Sequence, residues 1–332
     1  MACIAFSIQE NRWYHDVYQS VLWRKYSVLS YDTVKQQPEQ FLACTSLTVE
    51  EFDILLPLFS SAWESYSQRN YVNSGGGKPK LPRVVDKLFF ILFYYKVYPI
   101  QSAMGAIFGM SQGQVSFWVG VLSIVLQSAL GNARSLPKRR PRQLKEALEA
   151  CGVYNLIIDG TERKRQRPLD PQAQKDFYSG KKQTHTYNNI VIVDSDARTV
   201  EYLSQTYEGT WHDKAICDTE QYTFPDHATL QKDRGFQGYE PEGIITYQPK
   251  KKPRNGTLSI ADKIFNRVLS SSRIVVEHIL SGVKRCHIVK DVFRNTRIGI
   301  EDMVLEIACG LHNFRQRIRS KAEYVNIFEF IQ

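Results

Sequence analysis

The residue pattern of this chain changes near Cys151, and that change limits the folds open to it. Before it, residues 84–95 repeat apolar side chains at helical spacing, and Thr48 with Glu51 has the form of a helix-capping pair. After it, residues 153–158 form a short apolar run of strand type. The sequence therefore predicts a helical region followed by an α/β region.

Beyond Cys151 the predicted strands and helices alternate. Residues 189–193 and 199–203 read as a hairpin because a turn-forming segment separates them. A helix is expected from about Asp213, then strands at 229–232 and 244–247, then helices from Leu258 onward. With the first strand, these elements predict a mixed five-stranded sheet in an α/β fold.

Residues 99–126 predict a helix-turn-helix. A short apolar helix runs to a turn at Gly109, and Ser111 is placed to cap a second helix. An ordinary helical hairpin produces the same pattern and is the alternative interpretation. If the pair reads DNA, the groove-facing residues are those near the start of its second helix: Gln112, Gln114 and Ser116.

The charge of the chain favours a polyanionic partner. Its formal net charge is +9 and its isoelectric point is near 9.1, and lysine and arginine displace the counterions of phosphate groups. Nucleic acid and an anionic membrane surface both fit that charge. A basic linker at 134–150 contains Arg139, Arg140 and Arg142, which predict a phosphate clamp beside the helix pair, although a lone charge run is usually a solvated segment.

Membrane insertion and secretion are not expected. The longest apolar run, residues 88–95, is far shorter than the roughly 18 residues of a spanning helix, and the N-terminus does not resemble a signal peptide. The scattered cysteines suit reduced thiols, so we expect an intracellular protein, nucleoid-associated in a prokaryote or nuclear in a eukaryote. Zinc binding by the pairs at 286–287 and 309–312 is the less favoured alternative to buried cysteines.

Three acidic residues occur at the ends of predicted strands or within a predicted helix. Asp159 ends the first strand, Asp233 ends the strand at 229–232, and Glu277 lies in a helical stretch. Each has an ordinary explanation taken alone, since Asp-Gly is a turn signal and a helical glutamate is usually solvated.

Taken together, these residues lie in an ordered series of blocks that resembles a known family. The blocks are Asp159-Gly-Thr-Glu162, Arg167-Pro168, residues 177–186, Gly209-Thr-Trp-His-Asp213, Lys232-Asp-Arg-Gly-Phe-Gln-Gly238, Phe265-Asn266 and the helix with Arg273, Glu277 and Lys284. They resemble the DDE transposases of bacterial insertion sequences, which are related to the Harbinger-like DDE superfamily endonucleases. The resemblance is strong over residues 151 to about 315.

The resemblance implies an RNase H-like catalytic domain in which Asp159, Asp233 and Glu277 converge as catalytic and metal-binding carboxylates. Acidic oxygens without a cysteine or histidine set suit Mg²⁺ or Mn²⁺. Two such ions would support phosphoryl transfer on DNA, first with water and then with the freed 3′-hydroxyl as the attacking group.

Basic residues near these carboxylates are candidate DNA contacts. Arg273, Glu277 and Lys284 share one helical face, and their spacing resembles a family signature of tyrosine, arginine, glutamate and lysine, with Ser270 in place of the tyrosine. The alternative is a row of intrahelical ion pairs worth about 0.2 to 0.5 kcal/mol each. Lys181 and Lys182 are weighed evenly between DNA contact and solvated surface.

The predicted organisation is a helical DNA-binding domain at 1–133, the basic linker at 134–150 and a catalytic domain at 151–332. The resemblance implies a transposase that binds the terminal inverted repeats of a mobile element, cuts them and joins them to target double-stranded DNA. It would act as a homodimer or larger assembly, because two ends must be brought together. The alternatives are a domesticated DNA-binding or protein-interaction factor, and an RNase H-like nuclease without strand transfer.

Overall fold

The structure is a computed structural model that describes residues 29–70, 80–254, 256–297 and 299–329, without the side chains of 272 and 321–329. Seven described helices precede the sheet. They are α1 Tyr31–Lys35, α2 Pro38–Thr45, α3 Val49–Arg69, α4 Val84–Val97, α5 Gln101–Phe108, α6 Gln112–Asn132 and α7 Leu144–Cys151, with a 3₁₀ turn at Pro141–Gln143.

The remainder of the chain alternates strands and helices. The strands are β1 Asn155–Lys164, β2 Tyr178–Ser179, β3 Thr184–Asp194, β4 Thr199–Leu203, β5 Tyr207–Glu208, β6 Thr229–Gln231 and β7 Ile245–Tyr247. The helices are α8 Pro171–Phe177, α9 Asp213–Glu220, α10 Ile260–Val283, α11 His287–Lys290 and α12 Ile300–Glu329, with a 3₁₀ turn at Arg234–Phe236.

Strand β1 lies at the centre of a mixed sheet. It pairs antiparallel with β3 on one side and parallel with β6 on the other. Strand β4 extends the antiparallel side, and β7 extends the parallel side. The longer strands therefore stand in the order β4-β3-β1-β6-β7, which confirms the predicted mixed α/β class.

The predicted number of strands was wrong, because the described sheet has seven strands and not five. The additional strands, β2 and β5, are two residues long. Each pairs with β3, Tyr178 opposite His185 and Tyr187 opposite Glu208. A strand of that length shows no alternation of apolar and polar residues, so the sequence pattern does not reveal it.

Both faces of the sheet are covered by helices. Consecutive side chains of a strand point to opposite faces, so neighbouring residues of β1 enter different clusters. Ile157 packs with the N-terminal helices, α10 and α12 in one hydrophobic cluster. Leu156 and Ile158 pack on the other face with residues of α7 and α9. The helical region and one face of the sheet thus share one core, which holds β1 and its ends in place.

The segment predicted as a linker is folded against the sheet. Lys138 donates its backbone N–H to Glu201 and accepts from Leu203, so the chain runs beside β4. Helix α7 follows and buries Leu144 and Leu148. The basic residues of this segment therefore lie on an ordered part of the fold that packs against the sheet.

Helix caps form where the sequence predicted them. Thr48 accepts from the N–H of Glu51 at 3.2 Å, and Glu51 accepts from the N–H of Thr48 at 2.9 Å. Ser111 and Gln114 form the same reciprocal pair at the start of α6. Such pairs satisfy amide groups that a helix start leaves free, so each fixes where its helix begins.

Among the described helices, α6 is long and apolar enough to cross a membrane. The expectation of no such run overlooked it, because polar residues such as Ser116, Ser123 and Gln127 interrupt the apolar ones. Helix α6 packs against α3, α4, α5 and α12. Burial in the protein core therefore accounts for its apolar composition.

Candidate active site

The sheet brings Asp159 and Asp233 to the same level on neighbouring strands. Ile157 of β1 is paired with Gln231 of β6 in parallel register, and each aspartate lies two residues further along its chain. Residues two apart point to the same face, and paired strands lie about 4.8 Å apart. Two carboxylates therefore meet at the end of the central strand pair.

The charges at this edge affect one another. Burial raises the pKa of Asp159 to about 6, the charges of Asp233 and Asp213 add to the rise, and Arg273 opposes it. Gly160 donates its N–H to Asp159 at 2.9 Å, and Gly235 donates its N–H to Asp233 at 2.7 Å. Backbone donors thus orient both carboxylates while burial and like charge disfavour ionisation of Asp159.

Helix α10 supplies a positively charged side chain at this edge. The Nη2 of Arg273 lies 3.7 Å from the Oδ2 of Asp233. The start of α10 is held by Asn266, which accepts from the N–H of Lys250 at 2.8 Å and donates to its carbonyl at 3.0 Å. The family block at Phe265-Asn266 therefore has a structural use, because it fixes the helix that carries Arg273.

Glu277 lies one helical turn beyond Arg273 on α10 and is exposed to solvent. Within the described ranges, no group of three or more histidine, cysteine, aspartate or glutamate residues is close enough to hold a metal ion. Among the described residues, the structure thus brings Asp159 and Asp233 together and does not group Glu277 with them. The donors that meet are carboxylate oxygens, which fit Mg²⁺ or Mn²⁺.

The predicted basic contacts lie around the same edge. Burial lowers the pKa of Lys284, the charge of Lys182 lowers it further, and Asp159 raises it. Burial raises the pKa of Asp213, and the charge of Lys181 opposes that rise. Both Lys181 and Lys182 are exposed. Lys284 and Lys181 therefore interact electrostatically with carboxylates of this edge, and Lys182 interacts with Lys284.

Asp213 is a site residue that the sequence interpretation missed. The sequence placed it only at the start of a predicted helix, yet its carboxylate accepts from Asn188 of β3 at 3.1 Å and contributes to the raised pKa of Asp159. The available signal was glycine at positions 160 and 235, just after the two aspartates, because a missing side chain leaves room for another group.

The three residues predicted to face a DNA groove have different surroundings. Gln112 and Ser116 line a cavity of about 290 Å³ that is also lined by Arg294 and Arg297. Gln114 is exposed, and its side-chain oxygen accepts from the N–H of Ser111 in the helix cap. The start of α6 therefore has both a structural and a surface role.

The predicted phosphate clamp is divided in the same way. Arg139 donates to the backbone carbonyls of Leu203 and Ser204 and pairs with Asp302. Arg140 and Arg142 are exposed. Of these three arginines, Arg140 and Arg142 are the exposed ones, whereas Arg139 is held by protein partners.

Comparisons with known proteins show what this part of the chain is similar to. Residues 158–313 match the family described as DDE superfamily endonuclease. The chain is also 27% identical over 248 residues to the "Probable transposase for insertion sequence element IS702" of Microchaete diplosiphon, covering 74% of this chain and 85% of the relative. The chain is thus similar to DDE superfamily endonucleases over residues 158–313 and to an insertion-sequence transposase over most of its length.

A solved structure was also compared. The cryo-EM structure of piggyBac transposase synaptic complex with hairpin DNA aligns with a TM-score of 0.32 and 10% identity, over 84% of this chain and 68% of that one. A similarity of this size carries no argument about the present chain.

Proposed function

We propose that this protein is an active transposase that binds the terminal inverted repeats of a mobile element and carries out metal-dependent strand cleavage and strand transfer. One observation carries the proposal: Asp159 and Asp233 lie at the same level of two adjacent parallel strands, with Arg273 beside them. The similarity of residues 158–313 to DDE superfamily endonucleases supports an activity on DNA.

The catalytic domain is, on this proposal, RNase H-like. A central β1 between antiparallel β3 and parallel β6 supports it, with Asp159 where the pairing of β1 with β6 stops and Asp233 just after β6. The position of α10 also supports this fold, because α10 packs against β1 and brings Arg273 to Asp233. Helices α5 and α6 are proposed as the helix-turn-helix that recognises element ends.

Divalent metal ions fit this site by the chemistry of its donors, and DDE superfamily endonucleases generally use them. Asp159, Asp233 and Glu277 would hold two Mg²⁺ or Mn²⁺ ions, with Glu277 moving inward from its exposed position. Such ions supply charge stabilisation to the attacking and leaving oxygens of a phosphoryl transfer. The Gly160 and Gly235 amides keep the two aspartates oriented for that role.

The basic residues around the edge would hold the DNA backbone. Arg273 pairs with Asp233 without DNA and is close enough to turn to a phosphate when DNA arrives. Further positive charge along the DNA backbone would come from Lys284, Lys181, Lys182, Arg140 and Arg142. Double-stranded DNA is thus the proposed partner, with a homodimer or larger assembly on two ends, in the nucleoid or nucleus of the host.

The experiment begins with the genome around the coding sequence, where short inverted repeats with flanking direct duplications would provide the substrate. Labelled end DNA is incubated with the protein in Mg²⁺, in Mn²⁺ and in EDTA. Metal-dependent cleavage followed by strand-transfer joints is expected. Cut ends without joints would identify a nuclease, and binding without cleavage would identify a factor that has lost the reaction.

A further inference from the structure

We propose that Asp213 is a fourth carboxylate of the active site, a positioning residue that sets the spacing of Asp159 and Asp233 and the strength with which this edge takes a divalent cation. The inference rests on the proposed function of the site. It is carried by the packing of one carboxylate against the two segments that bear the aspartates.

The Asp213 carboxylate fills the space that two glycines leave open. A Cβ atom added to Gly160 would lie 2.4 Å from Oδ1 of Asp213, and one added to Gly235 would lie 3.1 Å from Oδ2. Real Cβ atoms essentially never approach another atom as closely as the first of these distances. Asp213 therefore lies between the segment that follows Asp159 and the turn that follows Asp233.

Asn188 holds Asp213 in this place. Its buried side chain donates from Nδ2 to Asp213 at 3.1 Å and to the carbonyl of Trp211 at 3.0 Å. Both amide hydrogens are thereby used, which fixes the orientation of the group. The Oδ1 of Asn188 is left buried without a protein partner among the described residues, an acceptor that a hydrated cation at this edge would satisfy.

Helix capping does not explain the position of Asp213. His212 is the N-cap residue of α9, and its side chain makes no capping hydrogen bond. An acidic residue in a first turn gains about 0.3 to 1 kcal/mol from the helix dipole while remaining solvated. Asp213 is instead partly buried and hydrogen-bonded to another strand.

Placing three carboxylates together is unfavourable without a cation, because like charges repel in a partly buried site. Asp213 thus adds negative charge where the proposed ions bind and keeps the aspartate-bearing segments apart. Residues that orient metal ligands without being among the primary ligands typically change metal affinity by about 10- to 100-fold when substituted. A comparable loss is expected when the charge of Asp213 is removed.

The test uses the full chain with Asp213→Asn, which keeps the shape and removes the charge. The control is Asp218→Asn on the same helix, where the aspartate is exposed and paired with Lys214. Mn²⁺ binding is measured by calorimetry without DNA, and the Mg²⁺ concentration for half-maximal cleavage is measured on end DNA. We expect Asp213→Asn to weaken Mn²⁺ binding about 10- to 100-fold and to raise the Mg²⁺ requirement similarly. End binding should remain, and the control should match the parent.

Gly160→Ala is a second variant that keeps every charged group and displaces Asp213 by crowding. It should weaken Mn²⁺ binding as Asp213→Asn does. The inference can therefore still be tested if Asp213→Asn fails to fold. Parent-like Mn²⁺ binding by either folded variant would overturn the inference. Asp159→Asn and Asp233→Asn separate the two levels: if they abolish Mn²⁺ binding and Asp213→Asn does not, only the role of Asp213 fails. If neither Asp159→Asn nor Asp233→Asn weakens Mn²⁺ binding, the proposed active site itself is wrong.

Discussion

The acidic sheet edge and the helix pair α5–α6 use their polar residues in opposite ways. At the edge, Asp159 lies close to like charges, and burial raises its pKa to about 6. In the helix pair, Gln114 closes a helix cap, and Trp118 and Val119 are buried in the core. Polar groups that are crowded and disfavoured indicate chemistry, whereas satisfied ones indicate folding. The edge is therefore the stronger functional candidate.

Asp159→Asn should produce the largest difference between the two regions. Cleavage of end DNA should fall by about three orders of magnitude or more, because an essential carboxylate is lost. The free energy of unfolding of the metal-free protein should instead increase. The pKa of Asp159 in the folded chain is about 6 against an ordinary 3.8, so the unfolded chain releases this proton first and stability declines as pH rises through that window.

Removing this charge should therefore stabilise the metal-free protein at pH 7 by up to about 3 kcal/mol and have little effect at pH 4. Thermal melts of both proteins in EDTA at the two pH values measure this. Equal melting differences at pH 4 and pH 7 would mean that Asp159 is not under electrostatic strain.

Salt dependence should show how much DNA affinity each region contributes. Six or more phosphate contacts would weaken binding by roughly a thousandfold between 50 and 200 mM salt. Substituting Lys181 and Lys182 with glutamine should lower the slope of log affinity against log salt by about 1 to 2. Gel shifts over a salt series test this, with Lys263→Gln on α10 as the matched surface control. An unchanged slope would remove the turn lysines from the DNA path.

The smallest effects should come from the helix pair. Gln112→Ala should reduce preference for the inverted repeat while nonspecific binding remains, since each base-edge contact is worth about 1 to 3 kcal/mol. Gln114→Ala should also lower thermal stability, because it removes half of a capping pair. Competition binding and melting curves separate these outcomes, with Gln205→Ala as control. Unchanged preference in Gln112→Ala would move end recognition elsewhere.

The sequence was sufficient where the pattern is local. The hairpin of β3 and β4 was predicted because apolar runs flank a turn-forming segment, and the α3 cap because Thr48 and Glu51 are three residues apart. Asp159 and Asp233 were identified from predicted strand ends and family blocks, and the register of β1 and β6 brings them together. The predicted end of the first strand at Asp159 was wrong, because β1 continues to Lys164 in its pairing with β3.

Residues whose roles depend on distant contacts could not be interpreted in that way. Arg139 lies in a basic run, but its partners Leu203 and Asp302 come from elements far along the chain. Asp213 is placed at the site by contacts from distant segments, among them the hydrogen bond from Asn188 of β3. A residue type at a given spacing carries no record of such tertiary contacts.

Glu277 tests the central claim most directly, because it is exposed and yet proposed to complete the carboxylate set. Glu277→Gln keeps the side-chain shape and removes the charge, and Glu146→Gln on α7 is the control for an exposed helical glutamate. Each protein is assayed on labelled end DNA for binding by gel shift and for cleavage in Mg²⁺ and Mn²⁺. A surface role would cost at most about 1 kcal/mol of stability and leave cleavage intact. We expect normal end binding with cleavage reduced by orders of magnitude in Glu277→Gln alone; near-normal cleavage would exclude Glu277 from the site and contradict the three-carboxylate account.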